Sequence, residues 1–184
     1  MIALIVSFGY LLAYFIVVNF QVVESSVNPY VSFASILFFP HGVRVLTTLI
    51  FRSTAGFFYL LCASVINEII FVGFNLEQGI IMQVVRLTIG AASAPLAFFI
   101  VSFAIGKDLT YLAKPNSRSW RVLSLLTLAS AAINGFGQAV VAELGGNELP
   151  SLKLQAAFVF GDTFGAFSVL LGAYLFVRVT YRKN

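Results

Sequence analysis

The chain has 184 residues, of which 60% are hydrophobic and only 10% are charged, with a net charge of +4. Soluble domains carry about 45–50% apolar and roughly 25% charged residues, so this composition excludes a water-exposed globule and predicts a surface that faces lipid. The excess of Lys and Arg does not indicate nucleic acid, because these residues occupy short stretches between apolar runs, where they set membrane topology. The single cysteine, Cys62, excludes an intrachain disulfide.

Six apolar runs are long enough to be membrane-spanning helices, which need about 20 mostly apolar residues. They are Ile2–Val22, Val31–Phe51, Thr54–Phe74, Gly79–Gly106, Val122–Val141 and Leu154–Val177. The runs are continuously apolar, whereas membrane strands alternate apolar and polar residues. We therefore predict an all-α fold, a polytopic transmembrane helix bundle of about six spans that forms a single domain over residues 1–184.

Three of these runs have features that bear on how their helices form. The fourth is too long for one untilted span, and Pro95 near its centre predicts a kink or a short interfacial lead-in. In the second, Pro40 and Gly42 predict a local irregularity. The first opens at Met1 without a basic region, which predicts an uncleaved helix. Because this first run carries no charge, we expect it to lie at the periphery of the bundle.

The basic residues between the runs predict the orientation of the bundle. With six spans, one side holds eight of them: Arg52, Lys107, Lys114, Arg118, Arg121, Arg178, Arg182 and Lys183. The opposite side holds one base and four acids: Lys153, Glu24, Glu77, Glu143 and Glu148. Because cytoplasmic loops are enriched in Lys and Arg, we predict that both ends lie in the cytoplasm (N-in/C-in) of a multi-pass protein of a bacterial inner membrane.

Four charged residues fall inside the apolar runs, and their charges balance: Arg44, Arg86, Glu68 and Asp162. A charge in hydrocarbon costs from about 2.5 to more than 10 kcal/mol, so such residues face the bundle interior and pair. Counting about 1.5 Å per residue from the run edges puts Glu68, Arg86 and Asp162 roughly two turns below the outer surface. The same counting puts His41 and Arg44 nearer the midplane.

Other polar residues share helix faces with one another or with these charges. His41 lies three residues before Arg44, and Asn134 lies four residues before Gln138, so each pair projects from one helix face. The candidate site therefore consists of seven residues: His41, Arg44, Glu68, Arg86, Asn134, Gln138 and Asp162.

Two interpretations of this set remain open. Its members could be ion pairs and hydrogen bonds that specify how the helices pack, or they could line a polar cavity that opens outward and binds a small ligand or ion. Arg44 and Arg86 would suit a small anionic group, because their guanidinium groups are forked donors that stay charged.

The residue types exclude most enzyme classes. His41 could ligate haem or magnesium or sense pH, but as the only His it cannot form a bis-His haem site within one subunit, which favours packing or hydrogen bonding. The sequence has no phosphate loop, no metal-ligand spacing and no catalytic triad. We therefore predict no enzyme activity, no catalytic residue and no metal site, and the sequence identifies no cofactor.

Two stretches resemble a known family, the bacterial membrane-associated sensor domains of the MASE type. Phe38–Leu46 (FFPHGVRVL) is similar to their early Pro-x-Gly segment, and Phe160–Gly165 (FGDTFG) is similar to their Gly-Asp-x-x-Gly motif near the last helices. Such domains receive signals at the membrane and pass them to attached kinase or cyclic-dinucleotide domains. This sequence departs from the family in having fewer than the usual eight spans and no output domain. The resemblance adds weight to five residues: Pro40, Gly42, Gly161, Asp162 and Gly165.

The resemblance and the internal charges together favour a non-enzymatic membrane module. We expect it to sense or bind a small ligand in an outward-facing polar pocket and to act through a partner, either another membrane protein or a cytoplasmic one. Two alternatives remain: a small-molecule transport component of the substrate-binding subunit type, and a structural accessory subunit of a larger membrane complex. All three put the chain in a lipid bilayer, and none involves nucleic acid.

Overall fold

The computed structural model describes residues 8–13, 15–16, 38–67, 80–106, 109, 117–144 and 152–181. Four helices account for most of them: α1 (Phe39–Asn67), α2 (Ile80–Ile105), α3 (Ser117–Leu144) and α4 (Leu152–Tyr181). Residues 8–13 and 15–16 are also helical and are called the N-terminal segment below. The described ranges contain no strand, which confirms the predicted all-α class.

The helix α1 begins at the proline of the second predicted span. Phe38 is not helical, and its carbonyl accepts a hydrogen bond from the His41 backbone N–H at 3.1 Å. Pro40 then lies in the first turn, where a helix tolerates proline because the missing N–H would have no partner there. The irregularity expected at Pro40 and Gly42 is therefore a helix start.

The same helix reverses direction near residues 52–53. Its backbone is helical throughout, yet a Cβ built on Gly56 would lie 3.1 Å from the Cα of Thr48. In a straight helix, residues eight apart are separated by about 12 Å along the axis. We call residues 39–51 the first limb and residues 54–67 the second limb. The reversal lies at the boundary that the sequence predicts between the second and third spans.

Helix α2 is continuous through Pro95 and ends at a glycine. It runs from Ile80 to Ile105 and includes the proline without a non-helical residue. Gly106 follows with a φ of 66° and donates its N–H to the Phe103 carbonyl at 3.1 Å. Glycine adopts this left-handed conformation without the strain of a Cβ and commonly ends helices in this way.

Three helices in the described part of the chain are long and apolar enough to cross a membrane. The candidate spans are Ile80–Ile105, Ser119–Val141 and Phe158–Phe176, and Thr54–Ile66 is a shorter apolar helix. Large apolar side chains cover the outside of the bundle, among them Phe103 at 83% and Phe176 at 72% exposure. A soluble protein rarely exposes so much apolar surface, so this surface fits lipid. The count of six spans stays a prediction.

Contacts between the helices define their relative directions. Helix α3 is antiparallel to α4, because Asn134 contacts Asp162 while Trp120, earlier in α3, meets Tyr174, later in α4. It is also antiparallel to α2, because Gln138, late in α3, contacts Arg86, early in α2. The first limb is parallel to α4, because contacts of Phe38 with Gly161 are followed by contacts of Gly42 with Val169. The ends of α2 and α4 and the start of α3 therefore lie at one end of the bundle, which we call the basic end. Four basic residues lie in the helices near it: Arg52, Arg118, Arg121 and Arg178.

The core is built largely from small residues. Six alanines of the described helices are at most 1% exposed: Ala63, Ala91, Ala94, Ala97, Ala131 and Ala166. Small side chains allow helix backbones to approach closely, which is how membrane helices gain van der Waals contact. Val45, Leu126 and Leu170 fill the space between them.

The closest approach joins the start of α1 to α4. The Phe38 backbone N–H donates to the Gly161 carbonyl at 3.1 Å, and a Cβ on Gly165 would collide with the backbone carbonyl of Phe38. A Cβ on Gly42 would lie 2.6 Å from the Cβ of Val169. The two stretches that carry the family resemblance therefore pack against each other, and glycine is required at their contact.

We predict that Gly165→Ala destabilises the protein by about 1–3 kcal/mol, the usual penalty for inserting a methyl group into a tight contact. The colliding atoms belong to the Phe38 backbone and cannot rotate away. Gly172→Ala in the same helix is the matched control, since a Cβ there meets nothing within 4 Å. Unfolding in detergent measures both variants. Equal stability of the two would contradict the close contact.

Candidate functional site

Three polar side chains from three helices meet in the interior. Asp162 of α4 accepts a hydrogen bond at Oδ2 from Asn134 Nδ2 of α3 at 2.8 Å. The same Oδ2 lies 3.4 Å from His41 Nδ1 of the first limb. Asp162 is 2% exposed and His41 is fully buried. The carboxylate therefore ties α1 and α3 to α4.

The close contact at Phe38 positions this triad. Pro40 and Phe38 put His41 in the first turn of α1, and the backbone bond from Phe38 to Gly161 holds that turn one residue away from Asp162. The sequence predicts that Asp162 lies nearer the outer surface than His41, and this depth stays a prediction. The contacts of Phe38 with Gly161 and of Gly42 with Val169 put His41 farther along the direction of α4 than Asp162.

Arg44 lies one turn beyond His41 and is buried, with 8% exposure. Its Nη2 donates a hydrogen bond to the Tyr10 hydroxyl at 2.6 Å. Its guanidinium carbon lies 5.5 Å from the centre of the Tyr10 ring and 5.9 Å from that of the Phe38 ring, distances at which a cation is attracted to an aromatic face. The missing side chain of Gly90 in α2 leaves space for the Arg44 guanidinium group, because a Cβ at position 90 would lie 3.2 Å from Arg44 Nη2.

Several buried polar atoms of this cluster have no hydrogen-bond partner among the described residues. They are Arg44 Nε and Nη1, His41 Nδ1 and Nε2, and Asn134 Oδ1. Arg44 and Asp162 do not form a direct ion pair; the closest charged-type contact of Asp162 is the 3.4 Å approach of His41 Nδ1. More than about nine-tenths of buried polar groups in proteins are satisfied, so a cluster with several unsatisfied polar atoms is unusual. The two free N–H positions of Arg44 are suited to an acceptor, and above all to an anion.

The described chain contains no group of three or more His, Cys, Asp or Glu side chains that would hold a metal ion. Comparison with protein-family models, curated proteins and solved structures gives no match. The interpretation of the site therefore rests on its own geometry.

Two of the remaining predicted residues, Arg86 and Gln138, contact each other. Gln138 of α3 donates to the backbone carbonyl of Arg86 of α2 at 3.1 Å, so these two residues meet each other, and Arg86 is only half-buried. Glu68 lies outside the described residues. The structure thus brings together His41, Arg44, Asn134 and Asp162, and it puts Arg86 and Gln138 in a second contact.

Tyr10 is a member of the cluster that the sequence analysis missed. The first apolar run carries no charge, and we expected it at the periphery; its large apolar side chains such as Phe8 and Phe15 are exposed, but Tyr10 is 2% exposed and is the hydrogen-bond partner of Arg44. The signal available in the sequence was a tyrosine in the middle of an apolar run, whose hydroxyl needs a partner when it is buried.

A crevice on the outside of α4 is distinct from this cluster. It has a volume of about 280 Å³ and is lined by Trp120, Phe164, Phe167, Ser168 and Leu171. Phe164 follows Asp162 by two residues, which is about 200° around a helix, so it faces away from the carboxylate. The crevice is therefore not the polar pocket that the sequence predicts.

We predict that Asp162→Leu destabilises the protein by about 3–5 kcal/mol, because it leaves Arg44 without a counter-charge nearby and removes the partner of Asn134 and His41. Asp162→Asn keeps an oxygen that can accept the hydrogen bond from Asn134, so it should lose less stability than Asp162→Leu. Glu143→Gln, at an exposed position of α3, is the control and should change stability by no more than about 0.5 kcal/mol. Detergent unfolding of the three variants checks this order, and a mild effect of the Leu variant would contradict it.

Proposed function

We propose that this chain is a non-enzymatic membrane protein that binds a small anionic ligand at Arg44 and acts through a partner protein. The proposal depends on one observation, the incomplete hydrogen bonding of the buried Arg44 guanidinium group. It is a buried cation whose Nε and Nη1 have no acceptor among the described residues, although its Nη2 bonds to Tyr10. Asp162 is the nearby counter-charge but forms no direct ion pair with Arg44, so a bound carboxylate or phosphate group would supply the direct contact and the acceptors that a buried cation needs.

The neighbouring groups support an anion over a cation. His41 Nε2, also buried and without a partner among the described residues, donates only when that nitrogen carries a proton. Of the acceptors, Asp162 Oδ2 is in contact with Asn134 and His41, whereas Asn134 Oδ1 has no partner among the described residues. The preference for an anion therefore comes from the fixed positive charge and the two free N–H positions of Arg44.

The sensor-type part of the proposal rests on the family resemblance. The two stretches similar to MASE-type domains meet at Phe38 and Gly165, and the first of them carries Arg44 one turn later. A change at Arg44 would thus act directly on the contact between α1 and α4. In such a module the response must pass to a partner, either a membrane protein or a cytoplasmic one.

The test uses Arg44→Gln, which removes the positive charge, and Arg44→Lys, which keeps the charge but lacks the forked guanidinium group. Acetate and inorganic phosphate are the probes, and the melting temperature in detergent at constant ionic strength is the readout. Wild type should be stabilised by about 2.7 kcal/mol at a probe concentration of 100 times its Kd. The Gln variant should not respond, and the Lys variant should respond weakly. Mass spectrometry of the purified wild type should also detect a small anion that the Gln variant lacks.

The control variant for this test is Glu68→Gln. Glu68 lies outside the described residues, and if its carboxylate neutralised Arg44, its loss would destabilise the protein as much as the loss of Arg44. Under the proposal, Glu68→Gln keeps the wild-type response to the probe. The proposal is wrong if Arg44→Gln and Glu68→Gln are equally destabilised and no anion binds in an Arg44-dependent way.

We further propose the N-in/C-in orientation in a bacterial inner membrane. Basic residues are enriched on the cytoplasmic side of membrane proteins, so the basic end of the bundle would face the cytoplasm. Single cysteines at Glu143 and Arg121, both exposed on α3, are introduced with Cys62→Ser. A membrane-impermeant maleimide added to intact cells should label the cysteine at 143. It should label the cysteine at 121 only after the cells are opened. The reverse pattern would overturn the orientation.

A further inference from the structure

We infer that the site takes up one proton together with the anion, and that His41 receives this proton. This coupling rests on the proposed binding of an anion at Arg44, and it adds a pH dependence to that same site. The proton comes from solvent, bonds to an imidazole nitrogen and leaves when the anion leaves. The protein therefore binds the equivalent of an uncharged acid.

The charges buried in the described part of the chain cancel before any ligand binds. The buried ionisable side chains there are Tyr10, His41, Arg44 and Asp162. With a neutral phenol and a neutral imidazole, their charges sum to zero. Arg44 and Asp162 form no direct ion pair, yet they are close enough for their charges to interact. A monovalent anion alone would leave one net negative charge among apolar helices, which is very unfavourable, so the binding of a proton with the anion is favoured.

The other elements around the imidazole contribute groups that keep their protonation state near neutral pH. Arg44 of the first limb is a cation that stays charged. Tyr10 of the N-terminal segment bonds to Arg44 through a hydroxyl that already carries a proton. Asn134 of α3 is an amide, and Arg86, the charged residue of α2, is half-buried and also stays charged. The choice therefore lies between the imidazole and the carboxylate of Asp162.

The contacts of these two groups select His41. Its Nδ1 lies 3.4 Å from Asp162 Oδ2, and neither imidazole nitrogen has a hydrogen-bond partner among the described residues. Oδ2 already accepts the hydrogen bond from Asn134, so the carboxylate is in use as an acceptor. A proton on the imidazole makes both of its nitrogens donors, and the approach to Oδ2 becomes a charge-assisted contact. Once the anion engages Arg44, His41 becomes the direct counter-charge of Asp162.

The decisive measurement is the number of protons taken up per acetate bound by the full-length protein in detergent. Acetate is the probe because an ordinary carboxylate titrates near pH 4 and stays ionised between about pH 6 and 8, whereas phosphate exchanges its own proton there. Isothermal titration calorimetry in two buffers of different ionisation enthalpy gives the proton number, which should be about one for wild type. Because the bound state then holds more protons than the free state, acetate should bind more tightly as the pH falls, by up to about tenfold per pH unit.

Two variants remove the coupling and leave Arg44 in place. His41→Gln keeps a polar side chain that cannot take a proton. It should bind acetate without proton uptake, and about as weakly at every pH as wild type does near pH 8. Asp162→Asn removes the negative charge, so the anion by itself makes the cluster neutral. This variant should bind acetate more tightly than wild type near pH 8, without proton uptake. Tyr10→Phe changes no charge, and as the matched control it should keep the wild-type proton number.

The outcomes separate this coupling from the proposed function. Acetate binding to wild type without proton uptake overturns the coupling and leaves anion binding intact. Proton uptake that persists in His41→Gln overturns the assignment to His41, and an affinity of Asp162→Asn that still depends on pH overturns the charge balance. Absence of acetate binding to wild type over the whole pH range contradicts the proposed function, and the coupling fails with it. Melting curves without acetate identify the folded variants, and Asp162→Asn decides alone if His41→Gln does not fold.

Discussion

The contact between the Phe38 backbone and α4 determines the arrangement of most of the interior. Because Gly165 has no Cβ, the non-helical residue that precedes α1 can lie directly on α4 and bond to the Gly161 carbonyl. This contact therefore determines the positions of the residues that follow in the first limb. His41 reaches Asp162 in the first turn, and Arg44 reaches Gly90 of α2 in the second. A single backbone approach thus sets both polar contacts of α1.

The polar cluster stabilises and constrains the fold in different ways. Asp162 is in contact with Asn134 and His41, so it holds three helices together in surroundings where an unpaired carboxylate would be very unfavourable. Arg44 differs, because aromatic rings and one hydroxyl contact its charge where a carboxylate would be expected. Cation–aromatic contacts contribute about 0.5–2 kcal/mol each, far less than the cost of burying a charge. The charge of Asp162 is therefore better compensated by its polar neighbours than the charge of Arg44 is.

The sequence predicted the fold class and part of the cluster for identifiable reasons. The continuously apolar runs were sufficient for an all-α class, and the rarity of charge inside them pointed to Arg44 and Asp162. Spacing along one helix cannot say which helices are neighbours, so the separate contact of Gln138 with Arg86 was not foreseen. Tyr10 was missed because its role depends on a residue 34 positions away. The start of α1 at Phe39 was not foreseen, because a proline in the first turn of a helix could not be told from an irregularity inside a longer helix.

The glycine contact between α1 and α4 also limits how this sequence can vary. Positions 42 and 169 share one space, since a Cβ at the first would lie 2.6 Å from the Cβ of the second. A Cβ at 42 would require glycine at 169, and it would still lie 3.0 Å from the Cα of Ala166. Position 165 has no such freedom, because its neighbour is the main chain of Phe38, whose volume no substitution changes. Among related sequences, 42 and 169 should therefore vary together, whereas 165 should stay glycine even where Arg44 and its neighbours have diverged.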